Sequence, residues 1–299
     1  MAPTLRSARQ PSEMEIDMQV AVLGMGRMGK AVAVRVLGQG HEVRVWNRTP
    51  GRAGELLSAG AEEVETPSMA AGGADVVVTM LSDDDAVRAV VLGEGGVSDS
   101  LGDDAVLVDS STVSPELGTE LAARIGCFVS MPILGNPEAV RGGTALLLVG
   151  GDDEAVRRAQ PVVSALGGRV LRYGRPEQAA AAKLTANLLL LDGLVALAEA
   201  FAVGTAGGLT EEQLRELLAE SPLVAPALRN RFEAVLTGKL DSWWTTALGA
   251  KDASLALALR ASEGDTLPLT TAALGVYRAV IAAGRGDDDI AAVRDRYLS

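Results

Sequence analysis

Lys183 and Asn187 stand four residues apart in AAAAKLTANLLLLDG, a run made mostly of Ala and Leu. On a helix that spacing puts both side chains on one face. No acidic residue falls within a turn of Lys183 on that face, and Asp192 lies about 180° away around the axis. A lysine desolvated among apolar neighbours has its pKa lowered toward the range useful for proton transfer. The plainer alternative is a solvent-facing lysine on an amphipathic helix. The chain has a single histidine, His41, and a single cysteine, Cys127. A Ser-His-Asp triad or a multi-His metal site would depend on that one histidine, so no metal is expected and a lysine is the natural proton donor.

Two other stretches carry candidate groups. LGAKDASLALAL places Lys251 and Asp252 at the head of an apolar helix. The helix dipole favours an aspartate there and makes a lysine less expected, which points to a ligand or partner for Lys251. DSSTVSP follows the apolar run AVLVD and sets Ser110, Ser111 and Thr112 at the carboxyl end of a strand, where open α/β sheets bind ligands. Either Thr112 or Ser114 has the alternative role of N-cap to the next helix.

The glycines of LGMGRMG lie between the strand-like QVAVLG and the helical GRMGKAVAVRVLGQG. In such a turn Gly24 permits the tight bend, Gly26 lets the backbone approach a pyrophosphate, and Gly29 lets the helix pack on the sheet. With strand before and helix after, the motif predicts dinucleotide binding. The second strand, HEVRVWNRT, ends in Asn47, Arg48 and Thr49 rather than in Asp or Glu. No carboxylate there repels a 2′-phosphate, Arg48 can grip one bidentately and Thr49 can add a hydroxyl, so the expected cofactor is NADP(H). The plain alternative leaves Arg48 as a solvated loop residue. His41, in the turn before this strand, reads as structural.

These groups need a scaffold, and the patterning supplies one. The apolar runs QVAVLG, HEVRVWN, ADVVVTML, DAVLVDSS and TALLLVGG alternate with helical segments. Runs so continuously apolar indicate strands buried on both faces in a parallel, doubly wound sheet. Beyond about residue 174 the pattern is helical throughout. The expected organisation is a leader over 1–17, a Rossmann domain over 18–175 and an all-α domain over 176–299. LTANLLLLDGLVALAEAFAVG is apolar enough to suggest a membrane span, but Asn187, Asp192 and Glu199 within it argue for a buried helix of a soluble protein. Residues 1–17 have no apolar h-region, and together with the single cysteine this leads us to expect a cytoplasmic protein. A formal net charge of -12 disfavours a nucleic-acid partner.

Taken in order, LGMGRMG, WNRT, DSSTVSP, MPILGNPEAVRGGTALLLVGG, KLTANLLL and GAKDASLAL resemble the β-hydroxyacid dehydrogenase superfamily. That superfamily includes 3-hydroxyisobutyrate dehydrogenases, glyoxylate/succinic semialdehyde reductases and, more distantly, imine reductases. The resemblance spans Met18 to about Tyr297. It implies that Lys183 is the catalytic acid/base, that Asn187 holds substrate, and that Lys251 lies beside both nicotinamide and substrate. It also implies cofactor contacts from the Gly24-Met25-Gly26-Arg27-Met28-Gly29 loop, Leu81, Ser82 and Thr112. The helical domain of such proteins assembles a homodimer, and the substrate closes between the domains.

One departure stands out. The family commonly has Pro-Val-Ser-Gly-Gly, whose serine and glycines hold a substrate carboxylate, where this chain has Pro132-Ile133-Leu134-Gly135-Asn136. Leu134 cannot donate a hydrogen bond from its side chain, which weakens that anchor and favours a larger or more apolar carbonyl compound; Asn136 is a substitute donor in this reading. Imine reductases of the superfamily typically replace the lysine with Asp or Tyr, so Lys183 with Asn187 favours carbonyl chemistry. Trp243, beside Trp244, either lines the pocket or fills core. The expected activity is NADP(H)-dependent hydride transfer to a small-molecule carbonyl. The alternatives are an imine reductase and a catalytically silent NADP-binding protein.

Overall fold

In the computed structural model, residues 18–239 and 243–298 are described. The strands are β1 Gln19–Leu23, β2 Glu42–Trp46, β3 Glu62–Glu63, β4 Val76–Thr79, β5 Val106–Asp109, β6 Phe128–Ser130, β7 Ile133–Leu134, β8 Ala145–Gly150 and β9 Gly167–Tyr173. The sheet-associated helices are α1 Arg27–Leu37, α2 Glu55–Ser58, α3 Pro67–Ala71, α4 Asp84–Leu92, α5 Pro115–Arg124, α6 Pro137–Arg141 and α7 Asp153–Leu166. The helical half comprises α8 Pro176–Ala206, α9 Glu211–Glu220, α10 Pro226–Arg229, α11 Phe232–Thr237, α12 Thr246–Ala261 and α13 Pro268–Ala282.

The strands lie in the order β3-β2-β1-β4-β5-β6-β8-β7, with β9 on β8. The pairs from β3 through to β6 are parallel, whereas β8 runs antiparallel to β6 and β7. The chain leaves β1 toward β2 and β3 on one side, then returns to β4 on the other. A crevice therefore opens at the carboxyl ends of β1 and β4, where doubly wound sheets bind ligands. Valine-rich β4 and β5 are buried along their full length, which explains their unbroken apolar sequence: one face packs in the core with α1 and α7, the other with α4 and α5.

The Rossmann sheet followed by an all-α half is the expected fold class, with differences in detail. TALLLVGG forms β8, which joins β6 antiparallel rather than continuing the parallel set. The short β3, β6 and β7 and the polar β9 were not among the expected strands; two or three residues carry too little periodicity to register, and β9 has an exposed, arginine-containing pattern. LVAPALRNRFEAVL folds as two short helices, and Arg231 at the break turns inward to pair with buried Asp289.

The long α8 corrects the expectation of a buried helix. Its Leu184, Leu191, Leu194, Ala198 and Phe201 are buried, yet Leu189 and Val203 are 78% and 73% exposed. By length and composition alone α8 could cross a membrane. Here one side of it packs on the sheet and on α12 and α13, and the other side presents apolar residues outward.

Candidate active site

Three glycines shape the first half of the site. Gly24 has φ +103°, and a Cβ there would strike the Met80 carbonyl. A Cβ on Gly29 would strike the Gly24 carbonyl, so the helix touches the turn only because Gly29 lacks a side chain, as the turn meets the end of β4 only because Gly24 does. Gly26 differs: the space its Cβ would occupy has no atom within 4 Å. It is the N-cap of α1, and no side chain caps that helix, so the first-turn N–H groups face this open space and can meet an anion. Asn47 fixes the turn from β2: its Oδ1 accepts from Met25 N at 2.9 Å and its Nδ2 donates to the Thr49 carbonyl at 2.9 Å. Its carboxamide is thereby committed to the protein, which leaves the exposed Arg48 and Thr49 to meet the far end of a ligand. Together these features fit a dinucleotide-binding turn: Gly26 and Arg27 are exposed at its mouth and Leu81 is half-buried, whereas the Met25 side chain is buried in the core and Met28 packs against that core.

The loops after β4 and β5 close this crevice. Leu81 N donates to Ser111 Oγ at 2.9 Å. Buried Asp109 accepts from Thr79 Oγ1 at 2.7 Å and from Ser111 N at 3.2 Å. Ser114, not Thr112, is the N-cap of α5, accepting from Leu117 N at 3.1 Å, and Asp84 binds both its N–H and its hydroxyl. Thr112 is left with its carbonyl toward the helical half. Ser82 is exposed and donates to Asp83 Oδ2 at 2.8 Å.

The second half of the site comes from α8 and α12. Lys183 Nζ donates to the Ile133 carbonyl on β7 at 2.7 Å. Burial lowers its pKa to about 8; Asp252 opposes that shift and Lys251 reinforces it. Asn187, one turn on and buried, donates from Nδ2 to Asp252 Oδ2 at 2.8 Å. Lys251 Nζ lies 2.7 Å from Asp252 Oδ1 and donates to the Thr112 carbonyl. Lys183, Asn187, Lys251 and Thr112 thus meet in one polar cluster centred on Asp252.

Asp252 is the residue that sequence reasoning misassigned. α12 begins at Thr246, capped by Thr245 through Leu248 N at 3.3 Å, so Asp252 sits in the second turn and owes nothing to the helix terminus. It is buried among charged and polar partners. Burial pushes its carboxyl above the usual carboxylate pKa, against the opposing pull of Lys251, Lys183 and Asn187. The available signal was spacing: Thr245 offers an N-cap well upstream of Lys251 and Asp252.

The remaining candidates lie apart from the cluster or at its edge. Leu134 is half-buried on β7 next to the Lys183 acceptor. Asn136 caps α6 by accepting from Ala139 N at 2.8 Å. Trp243 stacks over the Arg231 guanidinium, 4.9 Å from its ring centroid, within the helical half.

The family model for the NAD binding domain of 6-phosphogluconate dehydrogenase matches residues 19–174. The model for the NAD-binding domain of NADP-dependent 3-hydroxyisobutyrate dehydrogenase matches residues 178–297. The chain belongs to the β-hydroxyacid dehydrogenase superfamily. Among its superfamily relatives, an oxidoreductase of Bacillus subtilis is 34% identical over 92% of this chain and 98% of its own. The 3-sulfolactaldehyde reductase of Escherichia coli is 30% identical over 93% of this chain and 95% of its own. The structure of 3-hydroxyisobutyrate dehydrogenase from Mycobacterium tuberculosis with L-serine superimposes with a TM-score of 0.83 at 27% identity, covering 95% of this chain and all of that one. The superfamily is one of nicotinamide-dependent dehydrogenases and reductases.

Proposed function

We propose that the protein is an NADP(H)-dependent oxidoreductase acting on the carbonyl or hydroxyl carbon of a small molecule, with Lys183 as general acid/base. The observation that carries this reading is Lys183 Nζ, bound to the Ile133 carbonyl and with its pKa lowered by burial to about 8, on the α8 face that meets the sheet domain. When bound, the nicotinamide supplies or accepts the hydride. In reduction Lys183 gives its proton to the oxygen of the former carbonyl, and in oxidation it takes the proton back. Lys251, anchored by Asp252 and the Thr112 carbonyl, stabilises the developing negative charge on that oxygen, and Asn187 orients the substrate. NADPH oxidation followed at 340 nm, with semialdehydes, β-keto compounds and cyclic imines as substrates, tests the reading. Turnover confined to imines, or NADPH binding with no turnover anywhere, would contradict it.

The choice of NADP(H) rests on Arg48, exposed after β2 where no carboxylate stands. Losing a charge-assisted bond to the 2′-phosphate costs about 1.5–3 kcal/mol. Arg48→Glu is therefore expected to lower kcat/KM for NADPH by roughly 10–100-fold while sparing NADH. A wild-type preference for NADH would overturn the cofactor assignment.

The outward apolar side of α8, with Leu189 and Val203, supports assembly as a homodimer through this helix. Light scattering is then expected to give twice the chain mass of 30.8 kDa, and Leu189→Arg to halve it. A wild-type mass equal to one chain would remove the proposal.

A further inference from the structure

The charged groups that face Lys183, Asp252 and Lys251, both come from α12. Asp252 reaches Asn187 on α8 from the second turn of that helix. The geometry of the cluster is therefore set by how closely α12 stands to α8. What fixes that spacing bears directly on the chemistry, and this inference rests on the carbonyl reading above.

Gly249 lies one turn before Asp252 on α12, and Leu191 lies one turn after Asn187 on α8. A Cβ on Gly249 would stand 2.8 Å from Ile290 Cγ2 and 3.0 Å from Leu191 Cδ2. These neighbours have little room to give. Leu191, Ile290 and the adjacent Tyr277 are fully buried. Ile290 N donates to the Trp244 carbonyl at 3.1 Å, and Tyr277 Oη donates to the Leu191 carbonyl at 2.9 Å. The head of α12 is pinned as well. Thr246 N donates to the Asp288 carbonyl at 2.7 Å and Ala247 N to the Gly286 carbonyl at 2.9 Å. Asp289 is in turn tied to buried Arg231. Carbon atoms pack at about 3.5–4.0 Å, so a methyl group at Gly249 must open the contact by about 0.5–1 Å. With the head held at Thr246, a rise of about 1.5 Å per residue puts Asp252 roughly twice as far from the pivot as Gly249. The opening is thus larger at Asp252 than at the wedge. It carries the Asn187–Asp252 contact from 2.8 Å beyond the usual limit of about 3.2 Å.

We propose that Gly249 is a positioning residue for the reaction: its missing side chain lets α12 close on Leu191 and Ile290, and that approach brings Asp252 to Asn187 and sets Lys251 beside Lys183. Gly249 touches neither cofactor nor substrate. It acts only through the distance between the two helices.

The test measures kcat for the full chain with NADPH and the carbonyl compound that the wild type reduces fastest, beside NADPH affinity and a melting curve. Gly249→Ala is expected to lower kcat by about 10–100-fold, the scale of a misplacement near 1 Å. NADPH affinity is expected to stay within a few-fold. The melting temperature should stay close to that of the wild type, because alanine favours a helix over glycine and offsets the strain. Gly275→Ala on α13, where a Cβ would have no atom within 4 Å, is expected to leave kcat unchanged. Adding Ile290→Ala to Gly249→Ala removes the nearest obstructing atom and should recover most of the lost rate. In an Asp252→Asn chain, Gly249→Ala should cost little more, since the contact it disturbs is already altered. A Gly249→Ala chain as fast as the wild type overturns this inference alone. A loss that Ile290→Ala leaves in place, or one that simply multiplies with Asp252→Asn, also overturns it. A Gly249→Ala chain that does not fold, or whose rate falls only as its folded fraction does, would make the contact structural and overturn it too. A wild type that oxidises NADPH with no carbonyl compound overturns the carbonyl reading, and this inference with it.

Discussion

Lys183→Met lowers kcat for carbonyl reduction by about 10²–10⁴-fold, the usual contribution of a positioned general acid, while NADPH binding stays within a few-fold of wild type. The split follows from placement: Lys183 stands on α8 at the Ile133 carbonyl, and the glycine turn and the groups proposed to meet the nucleotide lie on the β1, β2 and β4 loops. The fold is expected to tolerate the change, because burial disfavours the ammonium and Met removes that penalty at similar length. Steady-state rates with NADPH fluorescence titration and a melting curve check all three parts. Lys183→Arg separates charge from proton transfer: guanidinium keeps the positive charge but does not titrate in this range, so it too should be slow. A variant of either kind with near wild-type kcat would remove the lysine from the chemistry.

Asp252→Asn is expected to damage both stability and activity. The aspartate is buried and accepts from Asn187 while pairing with Lys251. An asparagine can keep one acceptor, but its NH₂ would then face either the Lys251 ammonium or the Asn187 amide, donor against donor. Leaving such a buried group unmatched costs about 1–3 kcal/mol. The electrostatic consequence has a definite sign. Asp252 raises the Lys183 pKa against the burial that lowers it, so its neutralisation drops that pKa below the wild-type value of about 8. The alkaline limb of the reduction profile should move to lower pH, and kcat at neutral pH should fall as the ammonium is lost. A stable variant whose limb has not moved would show that Asp252 does not act on Lys183.

Much of this arrangement was legible in residue order. The glycine turn, the neutral end of β2 and the Lys183–Asn187 pair depend on local spacing, and the structure puts each where its period implies. What could not be read was what arrives from far along the chain. The Lys183 acceptor is a backbone carbonyl 50 residues away, and a carbonyl has no sequence signature. Asp252 meets Asn187 across 65 residues, and a carboxylate near an apolar helix start has an ordinary local explanation that proved wrong once α12 was seen to open at Thr246. Asn47 was read, with Arg48 and Thr49, as a cofactor-binding residue where an acid is usual; its Oδ1 and Nδ2 are both bound within the protein, holding the Met25 turn. Leu189 and Val203 looked like core because hydrophobicity alone does not distinguish the buried side of α8 from the exposed one.

The central claim is that Lys183 is the proton donor, and the pH dependence of kcat/KM for NADPH-driven reduction tests it most directly. A group needed in its protonated form with a pKa of about 8 predicts a plateau on the acid side and a tenfold fall per unit on the alkaline side. The reverse oxidation should rise over the same range. A reduction profile that stays flat up to about pH 10, near the ordinary lysine value, or one that keeps its limb in Lys183→Arg, would contradict the account.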